Sequence, residues 1–271
     1  MRFENKVAAV TGAGSGIGRA LALLLAKEGA SVAISDVDQQ GLDETETLIS
    51  QYNVGCHKTI LDVSDREKVE EWANNVVQEF GKADYIFNNA GVALFDTADS
   101  NDYANFEWIM NINFWGMVYG SKAFLQHFKD RGEGHVINVS SLFGLIGFPN
   151  QSAYNSSKFA IRGYTEALAL EMEGSNIKVS SVHPGGIKTD IARNCRFADE
   201  NLTGGNKQDA VKKFDLAAKT TPAQAAEVIV SGVLKGDKRI LIGKDAKIMD
   251  WIQRLMPQGY GRFISKAINS N

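Results

Sequence analysis

The sequence predicts one α/β domain, a doubly wound parallel sheet with helices on both faces. Seven short runs of apolar and β-branched residues alternate with longer amphipathic runs along the 271 residues. Strands that are apolar throughout and separated by helices are buried on both faces, which is typical of parallel sheets. Glycine is frequent (26) and proline rare (4). This combination indicates long regular elements and several places where two backbone segments come close together.

The alternation assigns each element in chain order. The predicted strands are 7–10, 31–35, 57–61, 85–87, 135–139, 178–182 and 239–242. The predicted helices are 19–28, 39–51, 67–80, 103–129, 153–172 and 222–234. The strand runs are short and β-rich, whereas the helical runs repeat apolar residues every three or four positions. Right-handed crossovers then place all seven strands in one sheet.

Charge and cysteine content exclude several classes of protein. The formal net charge is −3, which offers no basic footprint for nucleic acid. The two cysteines, Cys56 and Cys195, are far apart and have no metal-ligand spacing, so we expect no disulfide framework, no metal site and a cytoplasmic setting. The N-terminal residues show no export leader, and we expect no membrane span.

A glycine-rich turn follows the first strand. It reads Thr11-Gly12-Ala13-Gly14-Ser15-Gly16-Ile17-Gly18 and leads into a helix. Glycines at such a turn let the backbone approach a pyrophosphate, which the N-terminus of the helix then binds. The spacing is T-G-x-x-x-G-x-G rather than G-x-G-x-x-G, and the alternative is that the glycines serve tight helix packing. Its position after the first strand favours a dinucleotide site.

Carboxylates end the next two strands. Asp36 ends the second, where it can accept hydrogen bonds from an adenosine ribose diol. Because the same charge repels a 2′-phosphate and no Lys or Arg flanks it, NAD is favoured over NADP. The alternative is that Asp36 caps the helix that begins near Gln39. Asp62 and Val63 end the third strand and are either a helix cap or an adenine contact.

Tyr154 and Lys158 lie four positions apart on a predicted helix, so both side chains share one face. Chance alone would supply about half of one such pair, so its context decides. The fifth strand ends at Ser140-Ser141, thirteen residues upstream. The hydroxyl of Ser141 is therefore expected at the carboxyl edge of the sheet, where open α/β folds bind ligands.

Together these motifs resemble the classical short-chain dehydrogenases/reductases. The matching residues are Thr11 to Gly18, Asn88-Asn89-Ala90-Gly91, Asn113, Ser141, Tyr154, Lys158 and Pro184-Gly185 through Thr189, in the family's order and over roughly residues 5–243. The resemblance implies a seven-stranded Rossmann-type sheet. It also implies nicotinamide-dependent oxidation of alcohols or reduction of carbonyls, by a homodimer or homotetramer.

The resemblance assigns roles to the catalytic residues. Tyr154 is expected to be the general acid/base, its pKa lowered by Lys158 and by oxidised nicotinamide. Ser141 is expected to hold the substrate oxygen, Lys158 the nicotinamide ribose, and Asn113 a water that links Lys158 to solvent. The residues expected at the cofactor are Gly12, Ser15, Gly16, Ile17, Gly18, Asp36, Asp62, Val63, Asn89, Ala90, Gly91, Tyr154, Lys158, Pro184, Gly185, Ile187 and Thr189.

Each assignment has a purely structural alternative. Asn113 could bond a neighbouring carbonyl, and Ser141 could form a turn. Tyr154 with Lys158 could be a surface pair whose polar ends reach solvent. Segment 88–91 could be a plain turn, and Thr189 could cap a following helix.

The expected substrate side is apolar. Segments 92–95 and 142–149 leave the ligand edge of the sheet, and we expect Leu94, Phe143 and Phe148, with Ser141, to contact substrate. This favours an aliphatic, steroid-like or retinoid-like alcohol or ketone over a sugar. Residues 190–219 are polar and follow Thr189, so they are expected to form a substrate lid or, alternatively, an inert loop.

The nucleotide-binding domain is predicted to cover residues 1–243, with the lid included, and a tail to cover 244–271. In the tail, Ile248, Trp251, Ile252 and Leu255 recur at helical spacing. Five basic residues against two acidic ones give the tail a net charge of +3, opposite in sign to the whole chain. Such a segment packs against its own domain or a partner subunit; peripheral membrane attachment is the alternative.

The sequence therefore predicts an NAD-dependent oxidoreductase that interconverts an alcohol and its ketone or aldehyde. The alternatives are a catalytically idle NAD-binding regulator or scaffold and an NADP-dependent carbonyl reductase. A sugar-nucleotide epimerase is disfavoured by the glycine spacing and by the lack of a sizeable C-terminal substrate domain.

Overall fold

The structure is a computed structural model and describes residues 1–197 and 207–269. The main sheet has seven strands, in the order β3-β2-β1-β4-β6-β7-β9, and every neighbouring pair is parallel. These strands are β1 (Val7–Thr11), β2 (Ser31–Asp36), β3 (Cys56–Ile60), β4 (Tyr85–Asn88), β6 (Glu133–Val139), β7 (Asn176–Pro184) and β9 (Arg239–Ile242). The predicted doubly wound, seven-stranded parallel sheet is confirmed.

Helices cover both faces of this sheet. They are α1 (Gly16–Lys27), α2 (Gln39–Ile49), α3 (Arg66–Phe80), α4 (Tyr103–Met110), α5 (Gly116–Arg131), α6 (Ser152–Glu171), α7 (Lys207–Ala217), α8 (Pro222–Lys235), α9 (Lys244–Leu255) and α10 (Tyr260–Asn269). One core cluster joins α1, α2 and α8 to the sheet, and another joins α3, α5 and α6 to its opposite face. Alternate residues of β1 belong to different clusters: Ala8 and Val10 belong to the first, and Val7 and Ala9 belong to the second. This follows from strand geometry, in which successive side chains point to opposite faces.

The predicted helix 103–129 is not one regular helix. A π-helical turn, Asn111–Trp115, separates α4 from α5. Asn113 lies within it and is fully buried. Single π-helical turns inside α-helices are frequent at functional sites, and this one positions a residue that the sequence places in the active site.

A small ribbon lies outside the main sheet. Its strands, β5 (Leu94–Phe95) and β8 (Arg196–Phe197), pair in parallel. The pairing joins the segment after Gly91 to the first part of the predicted lid, 190–219. Helix α7 belongs to the same predicted lid, whereas its Gly204-Gly205 lies outside the described residues.

The tail folds as α9 and α10 and packs on the segment that follows β6. Ile264 of α10 is buried against Leu145 and Ile146. The hydroxyl of Tyr260 accepts a hydrogen bond from the amide of Gly147 at 3.1 Å. Across residues 1–197 and 207–269, no helix is long and apolar enough to cross a membrane.

Candidate active site

The glycine turn brings three backbone segments into contact. Gly12 has a φ of +66°, and a side chain there would lie 2.8 Å from the Cα of Ala90. A Cβ on Gly18 would lie 2.7 Å from the carbonyl carbon of Gly12 and 2.6 Å from the amide nitrogen of Asn89. Because these neighbours are mostly backbone, only glycine fits.

Side chains from β1 and β4 hold the turn in place. The Thr11 hydroxyl accepts hydrogen bonds from the amides of Asn89 and Ala90, both at 3.0 Å. The Asn89 side chain donates to the carbonyls of Thr11 and Gly12. Segment 88–91 is therefore more than a plain turn, since it forms one wall of the glycine turn. Ile17 packs on the core beneath.

The first turn of α1 is left open. Its N-cap residue, Ser15, makes no side-chain capping bond. The first N–H groups of a helix need partners, and with the positive end of the helix dipole they form an anion site. The local structure thus matches the predicted pyrophosphate site.

Asp36 is tied to the glycine turn. Its carboxylate accepts a hydrogen bond from Gly14 N–H at 2.8 Å and another from Asp38 N–H at 3.1 Å. The N-cap of α2 is Asp38, so Asp36 does not act as the helix cap that was the alternative reading. Arg19, which follows the turn directly, donates to the Gly14 carbonyl and pairs with Glu44 at 2.9 Å.

The other residues predicted at the cofactor flank the same edge. Asp62 accepts hydrogen bonds from the amide and hydroxyl of Ser64, and the cap of α3 is Asp65, so Asp62 is not that helix's cap. Val63 is buried against the start of α5 at Gly116. An adenine contact of Asp62 or Val63 stays a prediction.

The segment after β7 folds over the glycine turn. The methyl group of Thr189 lies 3.2 Å from where a Gly16 side chain would begin. Ile187 is buried and bridges to Thr220. The next α-helix described is α7, so Thr189 does not cap a helix directly after it. Pro184 ends β7, and the amide of Gly185 donates to the Ile242 carbonyl at 2.9 Å.

Three side chains form a cluster between the carboxyl end of β6 and the first turns of α6. They are those of Ser141, Tyr154 and Lys158. The side chain of Ser141 lies beside the Tyr154 phenol and acts on its pKa. The Lys158 ammonium lies 5.6 Å from the centroid of the Tyr154 ring and donates to the Val139 carbonyl at 3.2 Å. Tyr154 and Lys158 are both buried, so they are not a solvent-reaching surface pair. Ser141 also caps a short 3₁₀ turn by accepting from Phe143 N–H, which makes it a turn former as well.

Burial sets the protonation of this cluster. It raises the pKa of the Tyr154 phenol, against a smaller lowering from the Ser141 hydrogen bond. It lowers the pKa of Lys158 to about 8. Burial disfavours the charged form of each group. In the protein alone, burial therefore decides the direction of the Tyr154 pKa, and the lowering expected with oxidised nicotinamide bound stays a prediction.

Asn113 faces Lys158 across Gly91. A side chain on Gly91 would lie 3.2 Å from the Asn113 amide oxygen and 3.3 Å from the Lys158 ammonium. The Asn113 amide pairs with both backbone groups of Val92 and donates to the Ser157 hydroxyl at 3.0 Å. Asn113 does bond a backbone carbonyl, as the structural alternative expected. That carbonyl belongs to Val92, in another segment, and not to a neighbour in the same helix.

Aromatic rings surround the candidate catalytic cluster. Phe143 meets Tyr154 edge to face, with ring centroids 6.2 Å apart, and stacks on Phe148 at 4.8 Å. Both phenylalanines are half-buried. Leu94 is buried in the cluster that holds Tyr154. The Asn155 side chain fixes the loop by donating to the carbonyls of Phe143 and Ile146.

The ribbon of β5 and β8 adds rings on the lid side. Phe95 and Phe197 stack with their centroids 4.9 Å apart. The Arg196 guanidinium lies over the Trp108 ring, 3.6 Å from its centroid. Stacked rings and this cation–π contact hold the first part of the predicted lid against the segment after Gly91.

Comparison with known proteins identifies the family. The pattern described as short chain dehydrogenase matches residues 6–200, well over half of the chain. The chain belongs to the short chain dehydrogenase family. It is 46% identical over 269 residues to a putative oxidoreductase, SadH, of Mycobacterium tuberculosis, covering 98% of this chain and 96% of that one. It is 33% identical to the 3-oxoacyl-[acyl-carrier-protein] reductase FabG of Thermotoga maritima, covering 85% and 91%.

Solved structures share the fold. A short chain dehydrogenase/reductase from Burkholderia phymatum, crystallised in complex with NAD, is 26% identical with a TM-score of 0.84, covering 94% of both chains. An alcohol dehydrogenase from Thermococcus sibiricus, complexed with 5-hydroxy-NADP, is 26% identical with a TM-score of 0.74, covering 88% and 95%. The Rossmann-type fold of this short chain dehydrogenase is thereby confirmed.

Sequence reasoning missed His183, whose ring is hydrogen-bonded to the backbone of the candidate catalytic residue Ser141. Its Nδ1–H donates to the Ser141 carbonyl at 3.0 Å, and its Nε2 accepts from the Ser181 hydroxyl at 2.9 Å. Burial is the main cause that lowers its pKa to about 4, so the ring is neutral near pH 7. The one local signal was its place directly before Pro184.

Sequence reasoning also missed Tyr260, and this contact yields a prediction. Tyr260→Phe removes the acceptor of the Gly147 amide. A hydrogen bond of this kind contributes about 1 kcal/mol, so the Gly147 amide should exchange with solvent several-fold faster. Hydrogen exchange read by mass spectrometry measures the change in the 142–149 loop. Tyr103→Phe, at an exposed tyrosine, should leave the loop unchanged, and equal exchange in wild type and Tyr260→Phe would contradict the assignment.

Proposed function

We propose that this short chain dehydrogenase is an NAD-dependent oxidoreductase that interconverts an apolar alcohol and its ketone or aldehyde by hydride transfer. The observation that carries the proposal is the position of the Ser141–Tyr154–Lys158 cluster relative to the glycine turn. Ala90 contacts Gly12 of the turn, and the next residue, Gly91, contacts Lys158. Two consecutive residues thus join the candidate cofactor site to the candidate catalytic site.

The residues present fit a dinucleotide. The backbone of the glycine turn leaves no room for side chains at Gly12 and Gly18, and the first turn of α1 has no side-chain cap. Asp36, bound to Gly14 N–H, is placed to accept from a ribose diol. Lys158 and Asn113 flank Gly91, where the nicotinamide ribose is expected. The NAD complex of the Burkholderia relative supports the same choice.

The candidate catalytic residues have different roles at the substrate oxygen. Ser141 donates a hydrogen bond to that oxygen and positions it beside Tyr154. In oxidation the Tyr154 phenolate takes the hydroxyl proton, and in reduction the phenol returns it. NAD, when bound, accepts the hydride in oxidation and adds the positive charge of its oxidised ring. That charge and the Lys158 ammonium both favour the phenolate, which offsets the raised pKa that burial gives Tyr154.

The wall of the site supports an apolar substrate. Phe143, Phe148 and the Phe95–Phe197 stack bring four rings to the segments that border Tyr154. Two polar side chains near these rings are engaged elsewhere: Asn155 bonds the 142–149 loop, and Arg196 stacks on Trp108. An aliphatic, steroid-like or retinoid-like alcohol or ketone fits such a wall better than a sugar.

The proposal is tested by following NADH absorbance with a panel of hydrophobic secondary alcohols, and the reverse reaction with the matching ketones. We expect turnover with NAD for at least one member of the panel. Silence across the panel, in a protein that binds NAD by calorimetry, would favour the idle NAD-binding protein instead.

Cofactor preference gives a further prediction. Asp36→Ser removes the carboxylate that would face a 2′-phosphate, and like-charge repulsion of this kind is worth several kcal/mol. The ratio of kcat/KM for NADP to that for NAD should rise by about tenfold or more. Asp38→Ser changes an exposed acid two residues away and should shift the ratio much less. An unchanged ratio in Asp36→Ser would show that another residue selects the cofactor.

A further inference from the structure

An apolar patch with a basic rim lies on the tail side of the molecule. On α9, Ile248, Trp251 and Leu255 are 56%, 66% and 71% exposed. Their spacing places them on one face of the helix. Leu216 of α7 is 80% exposed and, together with Ile248, lines a groove of about 1680 Å³ between α1, α8 and α9. We call these four residues the α9 patch.

The buried face of α9 is already occupied. Ala246 is buried, and Asp250 pairs with Arg239 at 3.0 Å. Met249 joins the cluster of Leu145 and Ile146. The α9 patch is therefore not needed to hold the helix on its own domain.

The charges around the α9 patch are unbalanced. Lysines Lys27, Lys219 and Lys244 line the groove, and Lys247 is exposed on α9. In the described part of the chain, these four make no salt bridge. Three neighbouring acids are paired with arginines: Asp250 with Arg239 and Arg254, Glu227 with Arg2, and Asp215 with Arg193. Asp245 accepts from Gly186 N–H and keeps its charge, so four lysines face one carboxylate without a cation. The surface is thus locally cationic on a chain whose net charge is −3.

The α9 patch borders the ligand edge of the sheet. Asp245 at the start of α9 binds the Gly186 amide at 2.7 Å, and α10 packs on the 142–149 loop through Ile264. Leu216 lies on α7, within the predicted lid. The exposed apolar residues therefore belong to the elements that surround the candidate active site.

From this arrangement we propose that the α9 patch docks the protein on an anionic lipid surface. Exposed aliphatic residues beside an exposed tryptophan suit the boundary between acyl chains and headgroups, and unpaired lysines around them suit anionic headgroups. An acidic protein partner would form ion pairs with the lysines but would leave Trp251 and Leu255 exposed to water. A second copy of this chain docked through the same surface would bring two sets of four lysines together. The inference goes beyond the proposed function, because docking does not require turnover.

The test is co-sedimentation of the full chain with vesicles, in the absence of substrate. We expect binding to vesicles that contain phosphatidylglycerol and about tenfold weaker binding to pure phosphatidylcholine. Trp251 emission should shift to shorter wavelength on binding. The double variant Lys244→Glu/Lys247→Glu and the variant Trp251→Ala should each bind phosphatidylglycerol vesicles about tenfold more weakly or worse.

Matched controls change the same residue types elsewhere. Leu170→Ala removes an apolar side chain that is 66% exposed on α6, and Lys129→Glu reverses an exposed charge on α5; both should bind as wild type does. Absence of vesicle binding, or equal binding to both lipids, overturns the proposal. It is also overturned if Trp251→Ala lowers the molecular mass in solution without changing vesicle binding, since the α9 patch would then be a subunit interface.

Discussion

Tyr154→Phe should reduce kcat by about 10²- to 10⁴-fold, the range expected when a general acid/base is removed. The substitution deletes only the hydroxyl beside Ser141, and the ring keeps its contact with Phe143. The fold and the glycine turn should therefore persist. Steady-state kinetics with the best alcohol of the panel measure the loss, and calorimetry should show NAD affinity within a few-fold of wild type.

Tyr164→Phe is the matched control, since Tyr164 lies on the same helix and is also partly buried. It should keep nearly full activity. If Tyr154→Phe retained more than a tenth of the wild-type kcat, another group would be the acid/base.

The pH dependence of the wild type follows from the same residue. Oxidation needs the phenolate and reduction needs the phenol. Because burial raises the Tyr154 pKa, the supply of phenolate should grow with pH, so oxidation should accelerate as pH rises and reduction should slow. Tyr154→Phe should lose this opposed dependence in its residual activity.

Gly18→Ala should abolish measurable NAD binding. Its new methyl group would overlap the Gly12 carbonyl and come within 2.6 Å of the Asn89 side chain. Backbone cannot move aside as a flexible side chain can, so the turn must open, at a cost of about 1–3 kcal/mol or more. Calorimetric titration with NAD measures the affinity, and thermal melting shows whether the rest of the fold survives.

Two further glycine substitutions keep this prediction falsifiable. Gly163→Ala, in an exposed part of α6 with nothing near the new methyl group, should raise stability by up to about 1 kcal/mol because alanine favours the helix. Gly14→Ala meets the Asp36 carboxylate at 2.9 Å and should weaken NAD binding while leaving the protein folded. Wild-type affinity in both Gly14→Ala and Gly18→Ala would rule out this turn as the cofactor site.

The main sheet was predictable because its signals are local. Most strands of the main sheet are short apolar runs between helices, and β1, β2 and β4 are buried along most of their length, whereas β3 at the edge is partly exposed. The glycine turn and the spacing from Tyr154 to Lys158 are local as well. The carboxyl edge of a parallel sheet then brings both motifs to one side without further information.

What the sequence did not show depends on distant pairs. The π-helical turn positions Asn113 for bonds to Val92, 21 residues away. The ribbon joins Leu94 to Arg196, and Tyr260 reaches Gly147 across 113 positions. None of these contacts follows from periodicity. The rise that burial alone gives the Tyr154 pKa could not be read from the spacing either, because burial depends on the packing of distant segments.

Hydride transfer itself is tested most directly with a secondary alcohol deuterated at its carbinol carbon. The alcohol is incubated with the wild-type protein and NAD, and the reduced cofactor is analysed by mass spectrometry. We predict that deuterium appears in the NADH and that Tyr154→Phe forms this product at least about 10²-fold more slowly. NADH without deuterium, or equal rates in the two proteins, would contradict hydride transfer at the Ser141–Tyr154–Lys158 cluster.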